Sequence, residues 1–369
     1  NWPDGRSTTL KDVKANRLLE IDQGSANGQQ QNFNNYASRK NPKDPSGLGI
    51  SYTHTENDFN DYDLQLLIPQ KQSTKGAGLA VADVNGDGLE DLFAGNALGA
   101  AAALYLQQPD GSFTPSNQSL WQNEARYEDA NALFFDADSD GDMDLYVVSA
   151  GYELPQNDPR LQDRLYLNDG KGNFSRSNAL PQMRSSAKAI AAADYDADGD
   201  MDLFVGGNVI PGQYPLSPNS YLLRNDGGSF TDVTPQNQAL AQVGMVSQAS
   251  FSDYDADGDP DLVVVGEWMQ PTFFQNIDGA FDLAQVSGLE QTEGWWFSVE
   301  EGDFDNDGDM DYFVGNIGKN NKFQPKKDKP IYIYAKDFDN NGSFDVALSK
   351  INDGRLVPVR GKELSLIQK

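Results

Sequence analysis

The chain has 369 residues, with 28 Lys and Arg against 56 Asp and Glu, for a net charge of −28. A surface this negative repels nucleic acid and anionic membrane, and the absence of cysteine excludes disulfides and thiolate metal sites. No apolar run approaches the roughly 20 residues needed to span a bilayer, and the length would hold two or three ordinary domains or one repeat array with a continuous core.

Residues 1–22 (NWPDGRSTTLKDVKANRLLEID) read as two short strands around a Pro-Asp-Gly turn, with Leu18, Leu19 and Ile21 as apolar positions. So short a stretch cannot bury a core, and it is expected to be the tail of a preceding β domain. The chain opens without Met and shows no signal peptide at Asn1, so a secretory signal would lie upstream. Residues 23–46, rich in Gln, Asn, Ser, Gly and Pro, read as a flexible linker. Residues 47–75 carry an aromatic and acidic patch from Tyr52 to Asp63 and no repeat signature. They are expected to form a strand that joins the first repeat or helps close the array.

From residue 76 a nine-residue motif recurs six times: 83–91 (DVNGDGLED), 136–144 (DADSDGDMD), 194–202 (DYDADGDMD), 253–261 (DYDADGDPD), 303–311 (DFDNDGDMD) and 337–345 (DFDNNGSFD). Every copy keeps Asp at position 1, Asp or Asn at 3 and 5, Gly at 6 and Asp at 9. A strand-like run of small and apolar residues precedes each loop, and a second follows it, as in LYVVS from Leu145 or LVVVG from Leu262. A third run ends in an Asp-Gly turn, as in RLYLNDGKGNF from Arg164, and the Phe after that turn (Phe113, Phe174, Phe230, Phe281) opens a fourth. Four short strands in about 50–60 residues describe a propeller blade, so the fold class is all-β, a β-propeller of four-stranded blades. Residues 316–330 put a polar loop where the fifth unit's third and fourth strands belong, so that blade is expected to be reduced. The sixth motif is followed by 24 residues, too few for a blade and a closure.

Like charges about 4 Å apart repel by about 4 kcal/mol at an effective dielectric of about 20, so loops this acidic call for a cation. Hard oxygens at positions 1, 3, 5 and 9, a backbone carbonyl at 7 and Gly at the sharp turn suit Ca2+. The expected side-chain ligands are Asp83, Asn85, Asp87 and Asp91, then Asp136, Asp138, Asp140 and Asp144, then Asp194, Asp196, Asp198 and Asp202. Asp253, Asp255, Asp257 and Asp261 follow, then Asp303, Asp305, Asp307 and Asp311, then Asp337, Asp339, Asn341 and Asp345. The carbonyls of Leu89, Asp142, Asp200, Asp259, Asp309 and Ser343 would complete the sets. An EF-hand is excluded, because position 12 is apolar in all six copies (Ala94, Val147, Val205, Val264, Val314, Leu348) where that loop needs a bidentate Glu. The motifs hold 27 of the 56 acidic residues, and six divalent ions would bring the net charge to about −16.

The motif D-x-[DN]-x-[DN]-G-x-x-D, followed by a β run and LYLNDGxGxF-type hairpins, resembles the FG-GAP and VCBS repeats of integrin-alpha-like propellers, over about residues 76–360. The opening WPDGRSTTLKDVKANRLLEI is similar to the end of an ASPIC/UnbV domain. Together they resemble large bacterial secreted or surface proteins of the ASPIC/UnbV and FG-GAP type, related in layout to cartilage acidic protein. The resemblance implies a seven-bladed ring with a structural Ca2+ in each blade's hairpin loop, on one face. It also implies an extracellular, cell-surface or outer-membrane-associated module, monomeric and without membrane insertion, that binds a protein or glycan ligand in adhesion or recognition. Calcium sites of extracellular strength, with dissociation constants of about 10⁻⁴–10⁻³ M, would stand empty in cytosol. Only six motifs are present, so residues 47–369 read as a truncated propeller whose seventh blade lies beyond Lys369 or is built partly from residues 47–75.

No nucleophile motif, phosphate loop or His/Cys cluster occurs, so a non-enzymatic role is expected. His54, the one histidine, reads as structural, Trp268, Trp295 and Trp296 as packing wedges rather than sugar platforms, and Lys326, Lys327 and Lys329 as a solvated loop. The alternatives are a polysaccharide lyase, which would need a Tyr, Lys, Arg or His base in a groove beside a calcium, and a structural spacer.

Overall fold

Each Asp-rich motif joins two strands that pair directly across it, and a third and fourth strand add on in sequence order. In the computed structural model, which describes residues 47–318 and 321–359, this happens four times in full. The first sheet comprises β1 (Leu79–Ala82), β2 (Asp91–Ala94), β3 (Ala103–Gln107) and β4 (Phe113–Ser116). The second comprises β5 (Glu128–Phe135), β6 (Asp144–Ala150), β7 (Arg164–Asn168) and β8 (Phe174–Arg176). The third holds β9 (Ser186–Ala193), β10 (Asp202–Val209), β11 (Tyr221–Asn225) and β12 (Phe230–Asp232), and the fourth β13 (Met245–Ser252), β14 (Asp261–Met269), β15 (Thr272–Ile277) and β16 (Ala280–Leu283). All pairings are antiparallel, with position 9 of each loop opposite the last residue of the preceding strand, as in Asp202↔Ala193. These are propeller blades.

The second strands of the complete blades carry an unbroken apolar run after their first Asp because both of their faces are covered. Successive side chains on a strand point to opposite faces. Leu145 and Val147 therefore pack toward the first blade, with Ala80, Phe93 and Leu104, while Tyr146 and Val148 pack toward the third. On β10, Leu203 and Val205 face back toward the second blade and Phe204 faces forward to Val246, Leu262 and Phe274. Val263 and Val265 of β14 then meet Val299, Tyr312 and Val314. The first strands lie side by side along the stack, and Trp121 of helix α1 (Gln118–Glu124) wedges the first two blades apart, edge-on to Phe93 and Tyr166.

Among the described residues the fifth unit is reduced, as its sequence implied. β17 (Gly294–Gly302) and β18 (Asp311–Asn316) form its ladder, and β17 also pairs with the far end of β14 through Glu267↔Trp295 and Met269↔Gly294. The sixth has three strands among the described residues, β19 (Ile331–Lys336), β20 (Asp345–Asn352) and β21 (Arg355–Pro358). Its Phe344 N–H donates to Gly212 O at 2.8 Å, which seats it on the loop that follows β10. Trp268 and Trp295 pack edge-on at 5.3 Å, and Trp295 meets Phe323 the same way at 5.6 Å.

Residues 47–75 depart from expectation: they form no strand, only one helical turn at Asp61–Leu64. They run instead as a strap across the blade ends remote from the acidic loops of the four complete blades, and the sixth acidic loop, expected on the same face as the others, lies at the strap end, with Ser343 and Leu64 both beside Gly212. The strap's polar side chains satisfy the backbone that a ladder would otherwise have paired. Buried Asp61 accepts from Gln72 N (2.5 Å), Ser73 N (2.9 Å) and Ser73 Oγ (2.5 Å). Gln65 donates to Tyr214 O at 2.7 Å and accepts from Tyr214 N at 3.0 Å and Tyr152 OH at 2.5 Å. Ile68, Phe59, Tyr62 and Leu64 pack with Tyr152, Val209, Tyr214 and Met245 beneath them. The β-domain tail expected at 1–22 and the linker expected at 23–46 lie outside the described residues.

Candidate metal centre

The acidic loops owe their shape to two residues in the left-handed region. Position 6 is always Gly, at φ between 83° and 100°. At Gly199 and its equivalents in the other five loops an added Cβ would meet nothing within 4 Å, so the backbone angle and not crowding requires glycine. Position 4 is left-handed as well, in Ser139 (62°), Ala197 (59°), Ala256 (61°), Asn306 (61°) and Asn340 (58°). The two turns curl the loop so that its carboxylates cap its own amides. Asp194 accepts from Asp198 N and Gly199 N, both at 3.0 Å, and Asp253, Asp303 and Asp337 repeat the pair at 3.0–3.1 Å. Position 5 accepts from the N–H of position 7, at 3.0 Å for Asp198 and Asp200.

Position 9 is the deepest. Asp202 is fully buried, and its carboxylate accepts from Tyr195 N at 3.2 Å inside the loop and from Asn225 N at 2.7 Å on β11. Asp144 and Asp261 do the same with Ala137 and Asn168, and with Tyr254 and Asn276. Burial pushes these carboxyls up, to about 6 for Asp144 and Asp261 and about 7 for Asp202, against the opposing pull of those N–H donors.

In four loops the carboxylate oxygens of positions 1, 3 and 9 lie within 4.8 Å of one another: Asp136, Asp138 and Asp144; Asp194, Asp196 and Asp202; Asp253, Asp255 and Asp261; Asp303, Asp305 and Asp311. The expected position-5 ligands, Asp140, Asp198, Asp257 and Asp307, are not in these groups. The first loop, with Asn85 at position 3, and the sixth, where positions 1, 3 and 9 are all Asp, form no such three-acid group among the described residues. Asp136 Oδ1, Asp138 Oδ1 and Asp196 Oδ1 are buried with no hydrogen-bond partner. Burial first, then the neighbouring acids, hold Asp138 and Asp196 above the usual carboxylate range. Orphaned carboxylate oxygens converging within one loop fit a hard divalent cation, which would give each of them a partner. The position-7 side chain turns elsewhere in the third loop: Asp200 accepts from Ser139 Oγ at 2.6 Å and Gly227 N at 2.8 Å.

One recurring residue was not foreseen. In the second, third and fourth blades an Asn at or next to the end of the third strand clamps two loops at once. Asn225 donates to Met201 O of its own loop at 3.1 Å and to Ala137 O of the preceding blade's loop at 2.9 Å, and its Oδ1 accepts from Gly228 N at 2.8 Å. Asn168 reaches Met143 O and Val84 O, and Asn276 reaches Pro260 O and Tyr195 O, in the same way. The signal was available as an Asn shortly before each Gly-containing turn in LYLNDG, LLRNDG and FFQNIDG. A second polar centre lies at the opposite blade ends, where fully covered Glu267 takes Lys75 (2.5 Å), Gln70 (2.9 Å) and Tyr214 OH (3.0 Å). His54 pairs with Glu56 at 2.8 Å on the strap.

The family model described as "FG-GAP-like repeat" matches residues 83–147, 136–205 and 253–314. Cartilage acidic protein 1 of Homo sapiens is 24% identical over 196 residues, which cover 52% of this chain and 28% of that protein. The Mus musculus protein gives the same identity over the same length, at 29% of its own. The chain thus spans little more than a quarter of these relatives. Among solved structures, the Dos1 propeller aligns at TM-score 0.37 with 9% identity, over 60% of this chain and 50% of that one. No described helix is long and apolar enough to cross a membrane.

Proposed function

Because the chain belongs to the FG-GAP-like repeat family, we propose that it is a non-enzymatic, calcium-stabilised propeller module that binds a protein or glycan ligand outside the cell or at its surface. The observation that carries the calcium reading is the recurrence of converging carboxylates at positions 1, 3 and 9 in four successive blades, with orphaned oxygens at Asp136, Asp138 and Asp196. Asp136, Asp138 and Asp144 would hold the ion in the second blade, and their counterparts would do so in the third, fourth and fifth. The ion's contribution is charge neutralisation. The chain's own part is to fix the carboxylates in place through the Asn clamps and the N–H groups that position 9 accepts.

The non-enzymatic reading is supported by where the polar and charged groups sit. Tyr214, Lys75 and Glu267 lie at the blade ends opposite the acidic loops of the complete blades, where Tyr214 and Glu267 are covered, and the exposed Arg224 near the third loop is engaged by Asp226 at 2.9 Å. Strands of eight residues put about 25 Å between the two ends.

Calcium at a hundredfold excess over Kd adds about 2.7 kcal/mol per site. Chelation by EDTA is therefore expected to lower the melting temperature by more than about 10 °C for four sites, and excess calcium to restore it. An unchanged melting curve would overturn the metal reading. A glycan and protein-partner screen in calcium, together with incubation on acidic polysaccharides monitored for unsaturated ends, tests the binding and non-enzymatic parts.

A further inference from the structure

Outside the motif loops, the most anomalous buried group is Glu128, the first residue of β5. It is 3% exposed, and its Oε2 is buried with no hydrogen-bond partner. The carboxyl within hydrogen-bonding reach is that of Glu153, in the loop after β6, whose Oε2 is likewise buried and without a partner. Glu56 of the strap adds a third negative charge to the neighbourhood. The guanidinium groups nearby are engaged elsewhere: Arg164 pairs with Asp129 at 2.6 Å and Arg160 with Asp158 at 2.8 Å. Glu153 Oε1 accepts from Asn57 Nδ2 of the strap at 2.8 Å, so the acidic pair sits where the strap crosses the second blade.

Two facing carboxylates, each with an orphaned buried oxygen and, among the described residues, no free cation beside them, carry the same signature as the motif loops but at the other end of the blade. We propose that Glu128 and Glu153 hold a divalent cation between them, at a site separate from the motif loops that ties the strap to the second blade. The ligand class is a hard ion such as calcium, since only carboxylate and amide oxygens are on offer. Through Glu153 and Asn57 the ion fastens the strap, so its occupancy sets how firmly residues 52–57 are held. The site does not rest on the motif-loop reading, because its residues belong to none of the six loops.

The test is calcium stoichiometry by equilibrium dialysis on the whole chain, for wild type, Glu128→Gln and Glu153→Gln. Each substitution is expected to remove one bound ion per chain and leave the others. In EDTA, Glu128→Gln is expected to melt no lower than wild type, because glutamine keeps the shape and removes a facing charge. Equal stoichiometry in wild type and both variants would overturn the proposal and assign the pair a shared proton instead. Failure of the motif loops would look different, with wild type binding a single ion that both variants lose.

Discussion

Asp202 shows how one residue serves two purposes. With the ion absent, its carboxylate is a structural acceptor for the N–H groups of Tyr195 and Asn225, buried enough for its pKa to rise to about 7. An unfolded aspartate titrates near about 3.9. Between those values the folded chain keeps a proton that the unfolded chain has released, so stability falls as pH rises through the window. Asp144 and Asp261, at about 6, act in the same direction. Ion binding needs these carboxylates deprotonated, which reverses the trend. The metal-free protein is expected to melt higher at pH 5 than at pH 8, and the gain on adding calcium to be larger at pH 8. Scanning calorimetry in EDTA and in calcium at both pH values checks this, and equal melting of the chelated protein at both would refute it. The motif made position 9 legible as a ligand, but its acceptor role was not legible, because the second N–H comes from a strand 23 residues away.

At the scale of the strand, LFV at 203–205 and YFV at 312–314 look alike in sequence and both form the second strand of a unit. Phe204 is 0% exposed and Phe313 is 72% exposed. The strands were legible because apolar runs bounded by the Asp loop and a glycine leave few alternatives. The burial was not, because it depends on whether another sheet lies against the outer face. Phe204 has the fourth blade in front of it, whereas Phe313 on β18, like Leu79 and Val81 on β1 at the other end of the stack, is open to solvent. Phe204→Ala is therefore expected to cost about 3–5 kcal/mol through the cavity it leaves, and Phe313→Ala to stay within about 0.5 kcal/mol. Urea unfolding of the two variants measures the contrast, and similar costs would show that a further sheet covers β18 in solution.

Across the whole molecule, the strand order within blades follows from local repetition, whereas the strap had no repeat to reveal it. Its defining contacts join residues far apart in sequence, as in Gln65 with Tyr214, separated by 149 positions. Charge is the other property that belongs to the whole. The six motifs hold 27 of the 56 acidic residues, and in each complete blade the loop stands at the end opposite the strap. Without ions the like charges of the complete blades' loops add up on one face, where the Debye length of about 30 Å at 0.01 M salt lets neighbouring loops repel one another. At 0.5 M salt the repulsion between loops is screened. Raising NaCl from 0.01 to 0.5 M should therefore raise the melting temperature of the chelated protein by several degrees more than that of the calcium-loaded protein. Bound ions cancel much of the charge that the salt would otherwise screen. Equal increments in the two states would mean that loop repulsion does not govern the stability of the metal-free chain.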